Sequence, residues 1–493
     1  MKIIIFGTGD YYKRYKKWFD NDEVIALLDN SASKQNTRID GIRVLSPEDI
    51  CTLEYDAVII LSFYVKEMKK QLLHLGVRES EIFHFYDMHK VIDLKKKKRT
   101  VRYYEKGREL DITNVNMSGE QGILLISQDM TLGGPAIALF HMAEVLKENG
   151  YKVTFASMID GPLKKKILDA DIPVIVDENM QICTMKEAEW IKGFSMVLCS
   201  TINFYVFLTE RDLNIPTVWW LHDSAFFYDG VDKELLRSIN RTNLKVLSVG
   251  TVPERAIKTI VPDVCVDKLL YGVSDKVKDS ADMHTLDGCG DMAASKDEEV
   301  DYDAAAVVKD KKVKFITIGY IEERKGQDIL LKAIKLLSDE MRQKSVFYLV
   351  GQNTSMLAQK IQEDVKDIPE VIVTGTVDRH QIDELLEDTD ALICPSREDP
   401  MPTVATEAMM HSVPCIVADV TGTADYIESG FNGYVFRCMD AAQLCSIIEH
   451  CIEEEEDLKA MGIRARNVYD KYFSMDVFEQ NVCNMVRDIL KNK

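Results

Sequence analysis

With 493 residues, 46% of them hydrophobic, the chain is long enough for two or three domains with sizeable cores. A net charge of −20 argues against a nucleic-acid partner, because recognition of a long polyanion needs a broad basic surface, yet it leaves room for a local phosphate pocket. The eleven cysteines form no CxxC pair and no His/Cys cluster at zinc spacing, which fits reduced thiols and gives no metal site.

The start, MKIIIFGTGDYYKRYKKWF, lacks the charged n-region, apolar core and small-residue cleavage site of a secretory signal. No run reaches the ~18 apolar residues that span a bilayer. The expected location is the cytoplasm, free or peripheral at the inner face of the membrane. Residues 1–93 alternate strands and helices (KIIIF, EVIALLD, DAVIILS, EIFHFY) and predict a small doubly wound α/β accessory domain. Gly7, Gly9 and Asp29 match the first part of a dinucleotide fingerprint, but Tyr12 stands at the third glycine position. The domain resembles the short Rossmann-like modules at the front of sugar-modifying enzymes. Both a bound nucleotide and a docking or regulatory role stay open.

Residues 94–118 read as a basic linker, with LKKKKRTVRYYEKGRE its charged part. A solvated connection and a contact with anionic lipid headgroups, worth up to ~1 kcal/mol per basic residue, are the two readings. From 119 to 275 a second α/β unit is expected: strand ILLIS, a Gly133-Gly134 turn that lets backbone approach a ligand at a strand's carboxyl end, an amphipathic helix closed by Gly150, and strand YKVTFAS. The apolar strand TVWWL then delivers His222 and Asp223 at its carboxyl end. Residues 276–312 predict a flexible acidic insertion, with nine acids against one lysine between 279 and 303. Strands KFITIG, VFYLVG, VIVTG, ALICPS and CIVAD build a third α/β unit over 313–474, and a helix at about 475–493 is expected to cross back to the preceding one.

Two segments of that last unit carry the chemistry. ITIGYIEERKGQDILLKAIKLL, 316–337, is strand, Gly319 turn, the cations Arg324 and Lys325, and helix, an order that suits a diphosphate. PSREDPMPTVATE, 395–407, sets a proline-broken loop ahead of a helix. Thr403 is expected to cap this helix, and Asp399 and Glu407 supply acceptors for sugar and ribose hydroxyls.

At these residues the chain resembles the retaining GT-B glycosyltransferases of family 4, the "group 1" set, over about 120–480. The resemblance rests on ILLISQDMTLGGPAIALFHMAEVLKENGYKVT, VWWLHDS, GYIEERKGQD, PSREDPMPTVATEAM and VPCIVADVTGTADYIESGFNGYVF in that order. It implies an α/β fold of two Rossmann-like lobes facing a cleft, preceded here by the extra module. It also implies transfer of a sugar from a nucleotide-diphosphate sugar to a glycan or lipid-linked acceptor, without metal or other cofactor, in surface polysaccharide or glycoconjugate synthesis. His222, Asp399 and Glu407 take the catalytic positions, His222 orienting the sugar and Glu407 the ribose. Gly133, Gly134, Arg324, Lys325, Glu398, Thr403, Val404, Gly422 and Thr423 line the donor. Two departures stand out: the first acid of the family's paired-Glu signature is Asp399, and Tyr320 follows Gly319 where an arginine is common. A sugar-nucleotide-binding sensor or scaffold with weakened catalysis is the competing reading, and an epimerase or phosphorylase of the same shape is a more distant one.

Overall fold

The computed structural model describes residues 1–62, 64–92, 101–110, 112, 122–277, 312–352 and 355–491. The expectation of an acidic insertion, and the LKKKK run, lie almost entirely outside these residues. The described chain divides into two compact units: Met1–Ser248 with Glu254–Asp267 and Met485–Lys493, and Val249–Pro253 with Lys268–Asn484.

The first unit holds two sheets. One contains β1 (Lys2–Phe6), β2 (Glu23–Leu28), β3 (Arg38–Ile39), β4 (Ile42–Leu45), β5 (Ala57–Ile60) and β6 (Ile82–His84) in the order β3-β4-β2-β1-β5-β6. Apart from Lys2 at the start of β1, its central strands β1 and β5 are apolar without alternation and buried, as parallel strands covered on both faces must be. The antiparallel β3–β4 hairpin turns through Asp40-Gly41, whose φ of 52° and 80° fit the positive-φ pair that a two-residue turn requires.

The other sheet contains β7 (Val101–Glu105), β8 (Arg108–Leu110), β9 (Gly122–Asp129), β10 (Val153–Ile159), β11 (Val174–Asp177), β12 (Phe194–Ser200), β13 (Thr217–Leu221), β14 (Leu244–Ser248) and β15 (Val266–Lys268). Their order is β15-β14-β13-β12-β9-β10-β11-β7-β8. Residues 101–110, expected as part of a linker, are therefore an edge hairpin, with β7 antiparallel to β11. Charged Arg108 and Glu109 on the edge strand β8 hide its period in the sequence while protecting its open edge.

Residues 1–93 do not stand apart from this sheet. Ile3, Ile5, Tyr15, Trp18, Phe85 and Tyr86 belong to one hydrophobic core with Leu124, Val197, Tyr205 and Trp219. Trp18 Nε1 donates to the Glu178 carbonyl at 3.2 Å, and the Tyr205 hydroxyl donates to the Tyr86 carbonyl at 3.1 Å. Gly230 lies so close to the Tyr86 ring that an added Cβ would come within 2.6 Å of it.

The second unit is a parallel sheet of β16 (Val313–Ile318), β17 (Ser345–Val350), β18 (Val371–Gly375), β19 (Ala391–Cys394), β20 (Cys415–Ala418) and β21 (Gly433–Phe436) in the order β18-β17-β16-β19-β20-β21. Helix Glu455–Tyr472 braces helix Thr403–Met410: a Cβ on Gly462 would meet the Ser412 carbonyl at 1.9 Å, and Arg466 donates to the Met410 carbonyl at 2.8 Å. Tyr271, near which the preceding domain was expected to end, lies in this second unit and donates to the Met401 carbonyl at 3.2 Å. Of the C-terminal helix Met475–Lys491, only the part from Met485 on groups with the first unit.

Candidate functional site

In the second unit, three loops meet at the carboxyl ends of neighbouring strands. After β16 the chain passes Gly319 at φ 145°, makes a turn over Glu323–Lys325 and enters helix Gln327–Leu336 through Gly326 at φ 71°. Gly326 cannot be replaced cheaply, because a Cβ there would lie 2.0 Å from the Pro395 carbonyl. After β19 comes the loop 395–402, which β20's continuation holds from behind: Asp399 bridges to Thr421, and Gly422 N–H donates to the Asp399 carbonyl at 2.9 Å. Gly422 approaches so closely that a Cβ would meet the Pro400 carbonyl at 1.8 Å.

This packing aligns the charged groups. Lys325 Nζ donates to Asp399 Oδ2 at 2.6 Å, and Arg324 Nη1 stands 3.6 Å from the same oxygen. Arg324 also donates to the Glu398 carbonyl at 3.3 Å, so the structure uses the backbone of Glu398 to seat the cation. Arg397 is taken by a two-pronged bond to Asp328, each arm 2.8 Å, which leaves Arg324 and Lys325 as the cations facing Asp399.

Helix Thr403–Met410 begins differently from the sequence expectation. Pro402 occupies the N-cap and Thr403 is the first helical residue, so no side chain caps the helix. Proline's fixed φ pre-sets the turn into the helix at the position where a threonine hydroxyl was expected to act. The first amides, those of Thr403 and Val404 included, stay without a side-chain acceptor, which favours an anion at this end. Glu407, one turn on, is buried at 6% exposure. Its Oε1 accepts from Arg379 Nη2, and its Oε2 has no partner. Burial raises the carboxyl's pKa, and the Arg379 guanidinium opposes the rise. Tyr271 ties the two acids' surroundings together, donating to Met401 and lying 3.3 Å from the Thr406 hydroxyl. Thr423 is buried with its hydroxyl 3.3 Å from that of Thr421, and Tyr320 is exposed.

Arg379 escaped sequence reasoning, which assigned its helix, Arg379–Glu387, nothing beyond folding. The available signal was its place at the first turn of a helix that follows β18's carboxyl end.

Gly133, Gly134 and His222 belong to the first unit. Gly133 is the N-cap of helix Gly134–Glu148 directly after β9, and again no side chain caps the helix. His222 follows β13, its ring 4.2 Å from that of Trp220 and its Nε2 unpartnered. Burial lowers its pKa to about 3, so the imidazole is neutral near pH 7. Neighbouring Asp223 accepts from the Ile202 amide at 2.6 Å, and burial raises its carboxyl pKa to about 7. Among the described residues no group of three His, Cys, Asp or Glu is placed to hold a metal ion, and no helix is long and apolar enough to cross a membrane.

Comparison with known proteins gives three family matches along the chain: "C2185-like, N-terminal" over residues 1–83, "Glycosyl-transferase family 4" over 120–250, and "Glycosyl transferases group 1" over 301–468. A 41.2 kDa protein in the cps region of Klebsiella pneumoniae is 27% identical over 142 residues, 29% of this chain and 37% of that protein. The UDP-Gal:alpha-D-GlcNAc-diphosphoundecaprenol alpha-1,3-galactosyltransferase of Escherichia coli is 22% identical over 182 residues, 36% of this chain and 46% of the enzyme. The matches thus span less than half the length of these curated relatives. Anabaena HepE, solved in complex with UDP and glucose, shares the fold with a TM-score of 0.59 at 17% identity, over 75% of this chain and 100% of that one. With both transferase families matched in order and this fold, the chain belongs to the GT-B glycosyltransferases of the family 4, group 1 type, and carries an additional N-terminal α/β domain.

Proposed function

We propose that the protein is a retaining glycosyltransferase that moves a sugar from a nucleotide-diphosphate sugar to a glycan or lipid-linked acceptor in surface polysaccharide or glycoconjugate synthesis. The observation that carries the reading is the set Arg324, Lys325 and Asp399 beside an uncapped helix start and the half-partnered Glu407. Two cations and the amides of Thr403 and Val404 stabilise a departing diphosphate, with charge developing where donors already point. Glu407 Oε2 is the acceptor for a ribose hydroxyl. Asp399, released from Lys325 as the phosphates arrive, orients the donor sugar together with backbone amides near Gly422. Neutral His222 positions the sugar, its lowered pKa making it a weak base. The leaving phosphate oxygen then takes the acceptor's proton on the face it departs from.

The undecaprenyl-linked acceptor of the Escherichia coli relative supports a lipid-linked acceptor for this chain too. That reading agrees with a cytoplasmic protein touching an anionic inner membrane through the basic run at 94–109. The test is a thermal-shift panel of UDP-, GDP- and ADP-sugars, followed by detection of free nucleotide and transferred label. A shift with one donor and its turnover are expected. Binding without turnover would favour the sensor reading, and no shift with any donor would defeat both.

A further inference from the structure

In the first unit, the chain runs from β9 to β10 and β11 on one side, while β12, β13 and β14 extend on the other. The carboxyl ends of β9 and β12 are therefore the topological switch point, the crevice where open α/β sheets bind ligands. Here that crevice does not face solvent alone: the N-terminal domain stands over it. Arg14 Nη1 lies 3.8 Å from Asp129 Oδ2 at the end of β9. The Tyr15 hydroxyl is buried beside Gln128 and Arg14. Tyr86 and Tyr228 flank buried Asp223 beyond the end of β13.

The groups around the crevice have unmet hydrogen-bonding capacity. Asn203 donates to Gln128 Oε1 across the β9–β12 gap, but its own Oδ1 is buried without a partner. The hydroxyls of Tyr15, Ser200 and Thr201 are buried and unpartnered as well. Thr201 holds a φ of 83°, unusual for a β-branched residue, and its backbone N–H donates a hydrogen bond to the Trp220 carbonyl at 2.9 Å. Buried polar atoms in this number on one seam call for a partner. The set is rich in hydroxyls and amides, and its cation Arg14 is offset by Asp129. Such a lining suits uncharged sugar hydroxyls better than a diphosphate, and the partly exposed Tyr11 ring, packed at 4.9 Å on the buried Phe85 ring, adjoins it.

We propose that the N-terminal domain completes the acceptor pocket, with Arg14 and Tyr15 joining Gln128 and Asn203 in holding an acceptor sugar. This rests on the transferase reading above and adds that acceptor choice is written partly in residues 1–93. The partly exposed rim of Arg14, Tyr11, Gln128 and Asp129 is the entry, and the unpartnered hydroxyls behind it are satisfied as the sugar seats.

The test uses the full chain and saturation-transfer NMR with methyl α-glucoside, methyl α-galactoside and methyl N-acetyl-α-glucosaminide, beside a separate UDP titration. At least one glycoside should bind, and Arg14→Ala and Tyr15→Phe should each weaken it about tenfold, as expected for a lost hydrogen bond to a ligand. Tyr15→Phe removes only the hydroxyl and keeps the core packing. UDP affinity should stay within about twofold in both variants, since neither side chain belongs to the unit that holds the diphosphate. Equal glycoside binding by both variants and the parent, or no saturation of any glycoside in the parent, would overturn the proposal. Failure of the parent to bind UDP would count against the donor reading instead, and leaves the glycoside result separately readable.

Discussion

The strand ends of the two units solve the problem of burying polar groups in opposite ways. In the second unit the groups are charged and paired: Lys325 with Asp399, Arg379 with Glu407, Arg397 with Asp328. At the ends of β12 and β13 in the first unit they are neutral or made so by burial: His222 is held uncharged, and Asp223 keeps its proton to about pH 7. Paired charges can exchange a protein partner for a phosphate or a diol at little cost, because the incoming group replaces what it displaces. Neutral hydroxyls with unmet bonds have nothing to exchange and gain directly from a polyhydroxylated ligand. The contrast teaches which side of the reaction each unit is built to serve, and it can be broken at either end.

The largest effect is expected at Asp223. The folded state holds this proton until about pH 7, whereas an unfolded aspartate releases it near pH 4, so stability contributed by the protonated form falls as pH rises from about 4 to 7. That difference in proton affinity between the folded and unfolded carboxyl corresponds to a swing on the order of 4 kcal/mol, an upper value because buried sites relax. Asp223→Asn keeps an acceptor for the Ile202 amide and should flatten that part of the stability–pH curve. Melting curves as steep in the variant as in the parent between about pH 4 and 7 would remove Asp223 from the neutral set. Next comes Lys325→Ala in the charged set. A charge-assisted bond to a phosphate is worth ~1.5–3 kcal/mol, so donor-dependent turnover should drop roughly 10- to 150-fold. Turnover close to that of the parent would refute the diphosphate assignment.

Much of this was legible in the sequence, and what was not has identifiable causes. Strands β16 to β19 announce themselves as apolar runs ended by Gly319, Gly351, Gly375 or proline, and motif order singles out Asp399, Lys325 and Glu407. The β3–β4 hairpin was missed although Asp40-Gly41 is a strong turn signal, because its strands are two and four residues long. The β7–β8 hairpin was masked by the charge of the segment, which reads as a linker when counted and as a strand only when paired with β11. Sharing of one core by residues 1–93 and the following sheet could not be read from amphipathic pattern, which shows that a face is buried and not against what. Thr403 fits a capping preference, yet Pro402 takes the cap, since local propensity yields to the geometry that the loop's prolines impose.

The smallest effect, and the most discriminating for the paired set, concerns Arg379. Its side chain is 69% exposed while the Glu407 carboxylate it holds is buried, so the pair's worth lies between a surface bridge and a buried one. After discounting for solvent at the arginine, Arg379→Ala should cost about 1–2 kcal/mol near neutral pH. The sign of its pH dependence is specific. Burial already raises the Glu407 pKa, and loss of the guanidinium raises it further, so the folded variant holds the proton to higher pH than its unfolded chain does. Its deficit against the parent should therefore be small below about pH 4, where the carboxyl is protonated in both states, and grow as pH rises toward 7. Adding Glu407→Gln to the variant removes the buried charge and should abolish that growth. A deficit independent of pH, or one unchanged by the second substitution, would show that Arg379 acts through its own packing and that Glu407 is held for the ribose by other means.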